Sequence, residues 1–307
     1  MKKLKKLFRN PWRIFIYLRY LNMLTWLPDR TFIRIMYRAC FGKRIDLVSP
    51  QTFNEKLQWL KLYNRKPIYT LMVDKYRVRE YIANRIGSEY LIPLLGVWNN
   101  PEDIDFEKLP DQFVLKCNHD SGSLFICKDK SKIDVNAIKA KLKKALKRNY
   151  YSGSREWPYK NVKPCIIAEK LMIDESTSEL RDYKFFCFNG VCKCFKVDFD
   201  RFTEHHANYY DRYGKWLDFG EAICPPVKTK NIVLPEELEK MIELAETLSK
   251  DEPFLRVDFY VVNGKIYFGE LTLFPASGFG PFIPEDADLT LGSWIHIPDE
   301  SSGLYAS

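Results

Sequence analysis

The chain has 307 residues, of which 46% are hydrophobic and 15% aromatic, and its formal net charge is +8. This length and composition are typical of a globular protein with an ample core and exclude a disordered chain. The eight cysteines include no CxxC pair and the four histidines no cluster at zinc spacing, so we expect no structural zinc site, and a reducing cytoplasm suits the chain better than a disulfide framework.

The positive charge is concentrated in residues 1–44, which contain twelve Lys or Arg and a single acidic residue, Asp29. This basic N-terminal arm interleaves its charges with Leu, Ile, Phe, Trp and Tyr, and Arg13 and Arg19 interrupt the apolar run. We therefore expect neither a membrane span nor a secretory signal. The arm is predicted either to lie on an anionic bilayer, with about 1 kcal/mol contributed per basic residue near the surface, or to pack on the protein with its charges in water. Nucleic acid is not an expected partner.

Two helices are predicted after the arm. Ser49-Pro50 begins the first, and Pro67 interrupts the pattern. The second helix is predicted over 71–86, with Gly87 as its terminator. Short strands are then expected around 94–97 and 113–116.

The segment "QFVLKCNHDSGS" places Lys116 at the end of an apolar strand, directly before a loop that contains Ser121, Gly122 and Ser123. Such a loop can turn backbone N–H groups toward phosphate oxygens while a lysine neutralises them. Lys75, in "VDKYRVREY", is a second candidate for the same role. Alone the pattern is weak, since Gly-Ser loops after strands are usually simple turns.

Further along the chain, "DVNAIKAKLKKALKRNYY" is typical of a solvated basic helix, and "IIAEKLM" predicts a strand ending near Glu169 and Leu171, where an adenine edge and a ribose could be met. "RDYKFF" places Arg181 and Lys184 at the beginning of another strand, and "LPEELEKMIELAETLSK" predicts an amphipathic helix. The order of helices, strands, helix and strands argues for the α+β class.

The segment "LRVDFYVVNGKIYFGELTLFPASG" predicts a β-hairpin that carries Asp258 and Glu270. A two-residue turn at Asn263-Gly264 would place Asp258 opposite Gly269 and the two acids on opposite faces. A three-residue loop over 262–264 would instead pair Asp258 with Phe268 and place both acids on one face, roughly 7 to 8 Å apart at the backbone. From that distance the two carboxylates could hold Mg²⁺. The alternative is that both acids are solvent-face residues of a half-exposed hairpin.

Taken in order, these motifs resemble the ATP-grasp superfamily, and most closely its TupA-like branch, which is associated with bacterial cell-surface polysaccharide synthesis. The resemblance runs from "TFNEKLQWLKLYNRKPIY" to "FGELTLFPASG". Each motif is weak alone, and the resemblance depends on their order along the chain: DK at 74–75, the strand and loop around Lys116, the Glu169 segment, RDYK at 181–184, RVD at 256–258 and ELT at 270–272.

The resemblance implies an ATP-grasp fold in which nucleotide binds between two α+β subdomains. It implies an ATP site formed by Lys75, Lys116, Ser121, Gly122, Ser123, Glu169, Leu171 and Lys184. In that site Lys75 and Lys116 would hold phosphates, the loop through Ser123 would fold over them, and Glu169 and Leu171 would line the adenosine pocket.

The resemblance also implies that Asp258 and Glu270 carry Mg²⁺. Thr272 stands two residues after Glu270, where many ATP-grasp enzymes have Asn, which leaves a second metal position open. Arg181 and Arg256 are the candidate catalytic residues, because an arginine can stabilise charge that develops on an acyl centre. The alternative for both is ordinary pairing with surface carboxylates.

The function that the resemblance implies is an ATP-dependent carboxylate–amine ligase that joins an amino acid or another amine to a uronic-acid carboxyl through an acyl phosphate. The partners would be a glycan or its lipid-linked precursor, with peripheral contact to an anionic membrane at the inner face of the cytoplasmic membrane. Three alternatives are phosphoryl transfer to a sugar, glycosyl transfer, for which "DFDR" at 198–201 is a poor DxD-like motif, and a non-catalytic membrane protein.

The predicted organisation has five parts. The arm occupies 1–44, an N-terminal helical region resembling a pre-ATP-grasp unit 45–112, a subdomain with the phosphate loop 113–180, a subdomain with the metal site 181–298, and a flexible tail 299–307.

Overall fold

The computed structural model describes residues 10–21, 23–175, 180–200 and 203–298. The α-helices in these ranges are α1 Ile14–Tyr20, α2 Asp29–Phe41, α3 Phe53–Tyr63, α4 Ile68–Val73, α5 Val78–Arg85, α6 Val135–Leu146, α7 Tyr150–Ser154, α8 Leu238–Ser249 and α9 Ala287–Ser293. The strands are β1 Leu94–Trp98, β2 Phe113–Cys117, β3 Phe125–Cys127, β4 Ile166–Lys170, β5 Asp182–Phe188, β6 Val191–Phe199, β7 His206–Asp211, β8 Trp216–Leu217, β9 Gly220–Glu221, β10 Phe254–Val262, β11 Lys265–Thr272 and β12 Phe282–Ile283.

The strands form two main antiparallel sheets. The first has the order β1-β4-β2-β3, the second has the order β11-β10-β5-β6-β7-β8, and β9 and β12 pair separately. Helix α6 packs on the first sheet, and α8 packs on the second through its predicted apolar stripe, in which Met241, Ile242, Ala245 and Leu248 are buried. Mixed helices and antiparallel sheets confirm the α+β prediction.

The first predicted helix begins later than Ser49-Pro50 suggests. The hydroxyl of Thr52 accepts a hydrogen bond from the Glu55 N–H at 3.2 Å, and the Glu55 carboxylate accepts one from the Thr52 N–H at 3.2 Å. This reciprocal cap satisfies two backbone donors, so α3 begins at Phe53.

The prediction of one continuous helix over 71–86 is wrong. Asp74 adopts an extended conformation, and its carboxylate accepts hydrogen bonds from the N–H groups of Tyr76 at 2.9 Å and Arg77 at 3.1 Å. The chain therefore leaves α4 at Val73 and begins α5 at Val78. The break places Lys75 in a short non-helical connection rather than on a helix face.

Of the two turns considered for the hairpin, the structure contains the two-residue one and not the three-residue loop. Val262 pairs with Lys265, so the turn is the two-residue Asn263-Gly264, with φ values of 49° and 72°. A two-residue turn was expected to place Asp258 and Glu270 on opposite faces, but a β-bulge at Gly269 shifts the register by one residue and brings them to one face. Phe259 pairs with Phe268 whereas Asp258 pairs with Glu270, so the two acids lie directly opposite each other.

Part of the basic arm packs on the rest of the protein. Helix α2 buries one apolar stripe, which includes Phe32, Ile33 and Met36, against Leu24 and Phe279. Of the helices that the structure describes, none combines the length and apolar character that crossing a bilayer requires. Residues 1–9 and the predicted tail lie outside the described residues, and the predicted domain boundaries stay predictions.

Candidate active site

The candidate site lies between the first sheet with its neighbouring helices and the β10–β11 hairpin. Lys75, Tyr159 and Glu270 line one narrow space of about 10 Å³, together with Met72, Val78 and Leu271. Lys75 and Glu270, about two hundred residues apart in sequence, are thus brought to the same place. Two of the predicted nucleotide and metal residues therefore meet across this space.

Lys75 is held by the loop that follows β2. Its backbone N–H donates to the Asn118 carbonyl at 3.1 Å and its Nζ donates to the Asp120 carbonyl at 2.6 Å. The Asn118 side chain in turn donates to Asp74 at 2.9 Å and accepts from the Cys165 N–H at 2.7 Å. Burial lowers the pKa of Lys75, and the nearby Glu270 carboxylate opposes that shift. The helix break and the phosphate-type loop are thus one connected unit.

The loop residues Ser121, Gly122 and Ser123 have different environments. The Ser123 side chain is buried, where its hydroxyl donates to the Asp120 carboxylate and accepts from the Cys117 N–H at 3.0 Å. Ser121 and Gly122 are exposed, and Gly122 has a φ of 103° with open space around it. Ser123 therefore stabilises the loop from within, whereas Ser121 and Gly122 form its accessible tip.

Lys116 and Glu169 form an ion pair on neighbouring strands. The Lys116 Nζ lies 2.5 Å from one oxygen of Glu169, and the Nη1 of Arg79 lies 3.2 Å from the other. Arg79 also donates to the Ile92 carbonyl at 2.8 Å, which ties α5 to the segment that precedes β1. Sequence analysis missed Arg79, although a second cation four residues after Lys75 is visible in "DKYRVRE". Two cationic side chains, Lys116 and Arg79, thus hold the buried carboxylate of Glu169.

Leu171 lines an open groove of about 840 Å³ along the first sheet, together with Leu95, Gln112, Lys128 and Lys170. The residues that line this groove do not include Lys75, Lys116 or Glu270. The adenosine-site role of Leu171 therefore stays a prediction.

Asp258 and Glu270 are bridged by Arg256. The Nε and Nη2 of Arg256 each lie 2.7 Å from an oxygen of Asp258, and Nη2 also lies 2.7 Å from the Oε1 of Glu270. Thr272 donates to the same Oε1 at 3.0 Å. Asp258 is 1% exposed, whereas the Glu270 side chain is 42% exposed. One arginine is therefore shared between a buried and an accessible carboxylate.

The charge of Glu270 is set by its neighbours. Burial raises the pKa of Glu270, but the positive charges of Arg256, Lys75 and Lys184 outweigh burial and bring the pKa down to about 2. Burial also raises the pKa of Asp258, against the opposing effect of Arg256 and Lys184. Glu270 is therefore ionised throughout the physiological pH range.

Lys184 lies at the centre of a buried row of charges. Its Nζ lies 2.5 Å from Asp182, 2.8 Å from Asp258 and 3.7 Å from Asp198. Lys196 continues the row, 3.6 Å from Asp198 and 2.7 Å from Glu221 on β9. Sequence analysis missed Lys196 and considered Asp198 only as part of a DxD-like motif, although the alternation of "CFKVDF" could have revealed both as one face of a strand.

Arg181 is not part of this row. Its Nη1 donates to the Val233 carbonyl at 3.0 Å, and its side chain also contacts Tyr183, the neighbour of Asp182 that faces the other side of β5. Of the two predicted catalytic arginines, the structure thus brings only Arg256 to the carboxylates of the hairpin.

The hairpin residues can be compared with what Mg²⁺ requires. Within the described residues, no group of three or more His, Cys, Asp or Glu side chains is arranged to hold a metal ion. Mg²⁺ needs only one or two carboxylates when phosphates complete its shell. Glu270 fits that role because it is ionised and accessible, and its Oε2 meets no donor in the described part of the chain. Both oxygens of Asp258 already accept from Arg256 or Lys184, so Asp258 fits less well in this arrangement.

A protein-family model described as TupA-like ATPgrasp matches residues 55–296, which is most of the chain. Among curated proteins, no relative matches.

Several solved structures are similar to the chain at a low level. The D-alanine–D-alanine ligase from Bacillus anthracis, complexed with ATP, is 18% identical with a TM-score of 0.38, over 66% of this chain and 54% of that one. The biotin carboxylase domain of the 2-oxoglutarate carboxylase from Hydrogenobacter thermophilus, in complex with MgADP, is 17% identical with a TM-score of 0.39, over 66% and 40%. The chain thus spans about half the length of the first structures it matches.

Proposed function

The chain belongs to the TupA-like ATP-grasp family, and from that premise we propose that it is an ATP-dependent carboxylate–amine ligase. The observation that supports this most directly is the meeting of Lys75 from the first half of the chain with Glu270 from the hairpin across one narrow space. A cation for phosphate oxygens and an ionised carboxylate for a metal are the two groups that nucleotide binding with Mg²⁺ requires.

The proposed chemistry follows from the poor reactivity of a carboxylate toward an amine. The substrate carboxylate takes the γ-phosphoryl group of ATP and becomes an acyl phosphate; the amine then attacks the acyl carbon, phosphate leaves, and the nitrogen loses a proton. Mg²⁺, held by Glu270, would neutralise phosphate charge during the transfer. Lys75 and Lys116 would hold the transferred oxygens in place, and the Arg256 guanidinium would stabilise the charge that develops at the acyl centre.

For the substrates, we propose a uronic-acid-type carboxyl on a cell-surface polysaccharide or on its lipid-linked precursor, joined to an amino acid or another amine. The association of the TupA-like branch with polysaccharide synthesis supports this choice, and no single residue carries it. A lipid-linked acceptor would place the enzyme at the inner face of the cytoplasmic membrane.

Hydroxylamine trapping tests the proposed reaction, because hydroxylamine converts an acyl phosphate to a hydroxamate. The protein is incubated with ATP, Mg²⁺, hydroxylamine and a panel of uronic acids and uronic-acid oligosaccharides. We expect hydroxamate and ADP to form together with one member of the panel, and Glu270→Gln to abolish both. Transfer of phosphate to a sugar hydroxyl without hydroxamate would replace the ligase with a phosphotransferase.

A further inference from the structure

Helix α1 is apolar on two sides, and within the described part of the chain only one of them is packed against other residues. Phe15, Ile16 and Leu18 pack against the cluster that α2 forms with Leu24 and Phe279. A helix that is apolar all round is normally buried all round. The apolar residues on the second side of α1 are therefore exposed, although residues of this kind are usually buried.

The uncovered side carries large apolar residues in a continuous stretch. The exposed fractions are 42% for Ile14, 46% for Tyr17, 73% for Tyr20, 68% for Leu21, 56% for Met23 and 77% for Trp26. Ile14, Tyr17 and Leu21 follow the three- and four-residue spacing of a single helix face. Elsewhere in the described residues, exposed apolar side chains such as Val48 and Tyr213 are more widely spaced along the chain. A patch of this kind marks an interaction surface.

This surface, the six residues just named, is held to the protein at both ends. The Asn10 side chain donates to the carbonyls of Arg38 and Ala39, each at 3.1 Å. At the other end, the Nη2 of Arg155 donates to the carbonyls of Leu24 at 2.8 Å and Leu27 at 2.9 Å. The surface is therefore preformed, and little ordering is needed before it binds.

The charge around the surface selects its partner. Residues 1–44 contain one acidic residue, Asp29, which is 17% exposed and paired with Arg65 and Arg155. Arg30 and Arg34 are exposed on α2 next to it in sequence. A second copy of the same surface would bring like charges together, which opposes self-association. Aromatic, Leu and Met side chains in a segment that also carries exposed arginines are suited to the interface of an anionic bilayer.

We propose that this surface docks the protein on an anionic membrane, with Tyr20, Leu21, Met23 and Trp26 entering the headgroup region and the arginines contacting lipid phosphates. The inference deepens the proposed function, on which it rests for the idea of a lipid-linked acceptor. Vesicle binding is measured without nucleotide, so its failure is distinguishable from a failure of the ligase chemistry.

Co-sedimentation of the full chain with phosphatidylcholine vesicles, with and without phosphatidylglycerol, tests the proposal. We expect wild type to bind the anionic vesicles and a Leu21→Ser, Met23→Ser, Trp26→Ser variant to bind about tenfold more weakly or worse. A Val48→Ser, Tyr213→Ser variant, changed at exposed residues outside the surface, is the matched control and should bind like wild type. Arg30→Gln with Arg34→Gln should weaken binding at low salt more than at high salt.

Three results would overturn the docking proposal. Wild type could fail to bind anionic vesicles, or the triple serine variant could bind them as well as wild type does. Alternatively, wild type could be a dimer that the triple variant dissociates, which would assign the surface to a second copy. Because all three changed residues are exposed, circular dichroism should show an unaltered fold in the variant, and vesicle binding then reports on the surface alone.

Discussion

Arg256 is shared between Asp258 and Glu270, and removal of Arg256 would affect these two carboxylates differently. Glu270 is accessible to water, whereas Asp258 is 1% exposed and would keep only Lys184 as a close cation. A buried carboxylate that loses its guanidinium partner is destabilising, because its desolvation is no longer offset by the ion pair. Arg256 is thus both a candidate catalytic group and a structural one.

We expect Arg256→Met to lower the free energy of unfolding by about 3–5 kcal/mol, because it leaves Asp258 undercompensated in the interior. Urea denaturation followed by tryptophan fluorescence measures the difference. Arg30→Met, which removes an exposed arginine, is the matched control and should change stability by no more than about 0.5 kcal/mol. A loss below about 1 kcal/mol for Arg256→Met would mean that Lys184 alone compensates Asp258.

Glu270 also predicts a pH dependence of stability. Its folded-state pKa, about 2, lies below the ordinary value of 4.5, so the unfolded state binds more protons between these two values. The ionised Glu270 therefore contributes stability that is present above pH 4.5 and is lost as the pH falls toward 2. Wild type should lose more unfolding free energy than Glu270→Gln in urea denaturations between pH 5.5 and 3.5. If the unfolding free energies of the two proteins fell in parallel with pH, the neighbouring positive charges would not stabilise the ionised Glu270.

Among elements, the β10–β11 hairpin decides the geometry of the site. Its strands and its turn residues are visible in the sequence, and so are the two carboxylates. The bulge at Gly269 is not, because a glycine inside a strand indicates a bulge, a bend or a close approach equally well. The same limit applies to α4 and α5, where the apolar pattern continues through Asp74 and only the capping hydrogen bonds show where the helix is broken.

Gly269 is required for the register that places Glu270 opposite Asp258. A Cβ at this position would lie 3.1 Å from the Asp258 carbonyl oxygen and 3.1 Å from the Tyr260 ring, so a branched side chain must displace β11 from β10. We expect Gly269→Val to weaken Mg²⁺-dependent ATP binding about tenfold or more while circular dichroism still shows a folded protein. Gly153→Ala is the control, because a Cβ at that helical glycine meets only one atom, at 3.9 Å. Unchanged nucleotide binding in Gly269→Val would show that the bulge does not set the metal site.

At the scale of the whole molecule, the order of motifs along the chain was enough to predict the ATP-grasp fold and the family. It was not enough to predict Tyr159, because this residue reaches the site through tertiary packing rather than through a motif of its own. It also assigned Arg181 to the catalytic site, whereas the Arg181 side chain donates to the Val233 carbonyl, and the assignment of Leu171 stays a prediction. Sequence order indicates which segments meet, whereas strand register and side-chain direction decide which residues of those segments do.

Calorimetric titration of ATP, with and without Mg²⁺, tests the central claim that Lys75, Lys116 and Glu270 belong to one nucleotide site. We expect wild type to bind ATP in a Mg²⁺-dependent way, and Glu270→Gln and Lys116→Met each to weaken that binding about tenfold to a hundredfold, the range expected for a lost charge-assisted contact. Lys240→Met, which removes an exposed lysine on α8, should bind like wild type. Absence of ATP binding to wild type, or Mg²⁺-dependent binding that survives intact in both site variants, would contradict the account.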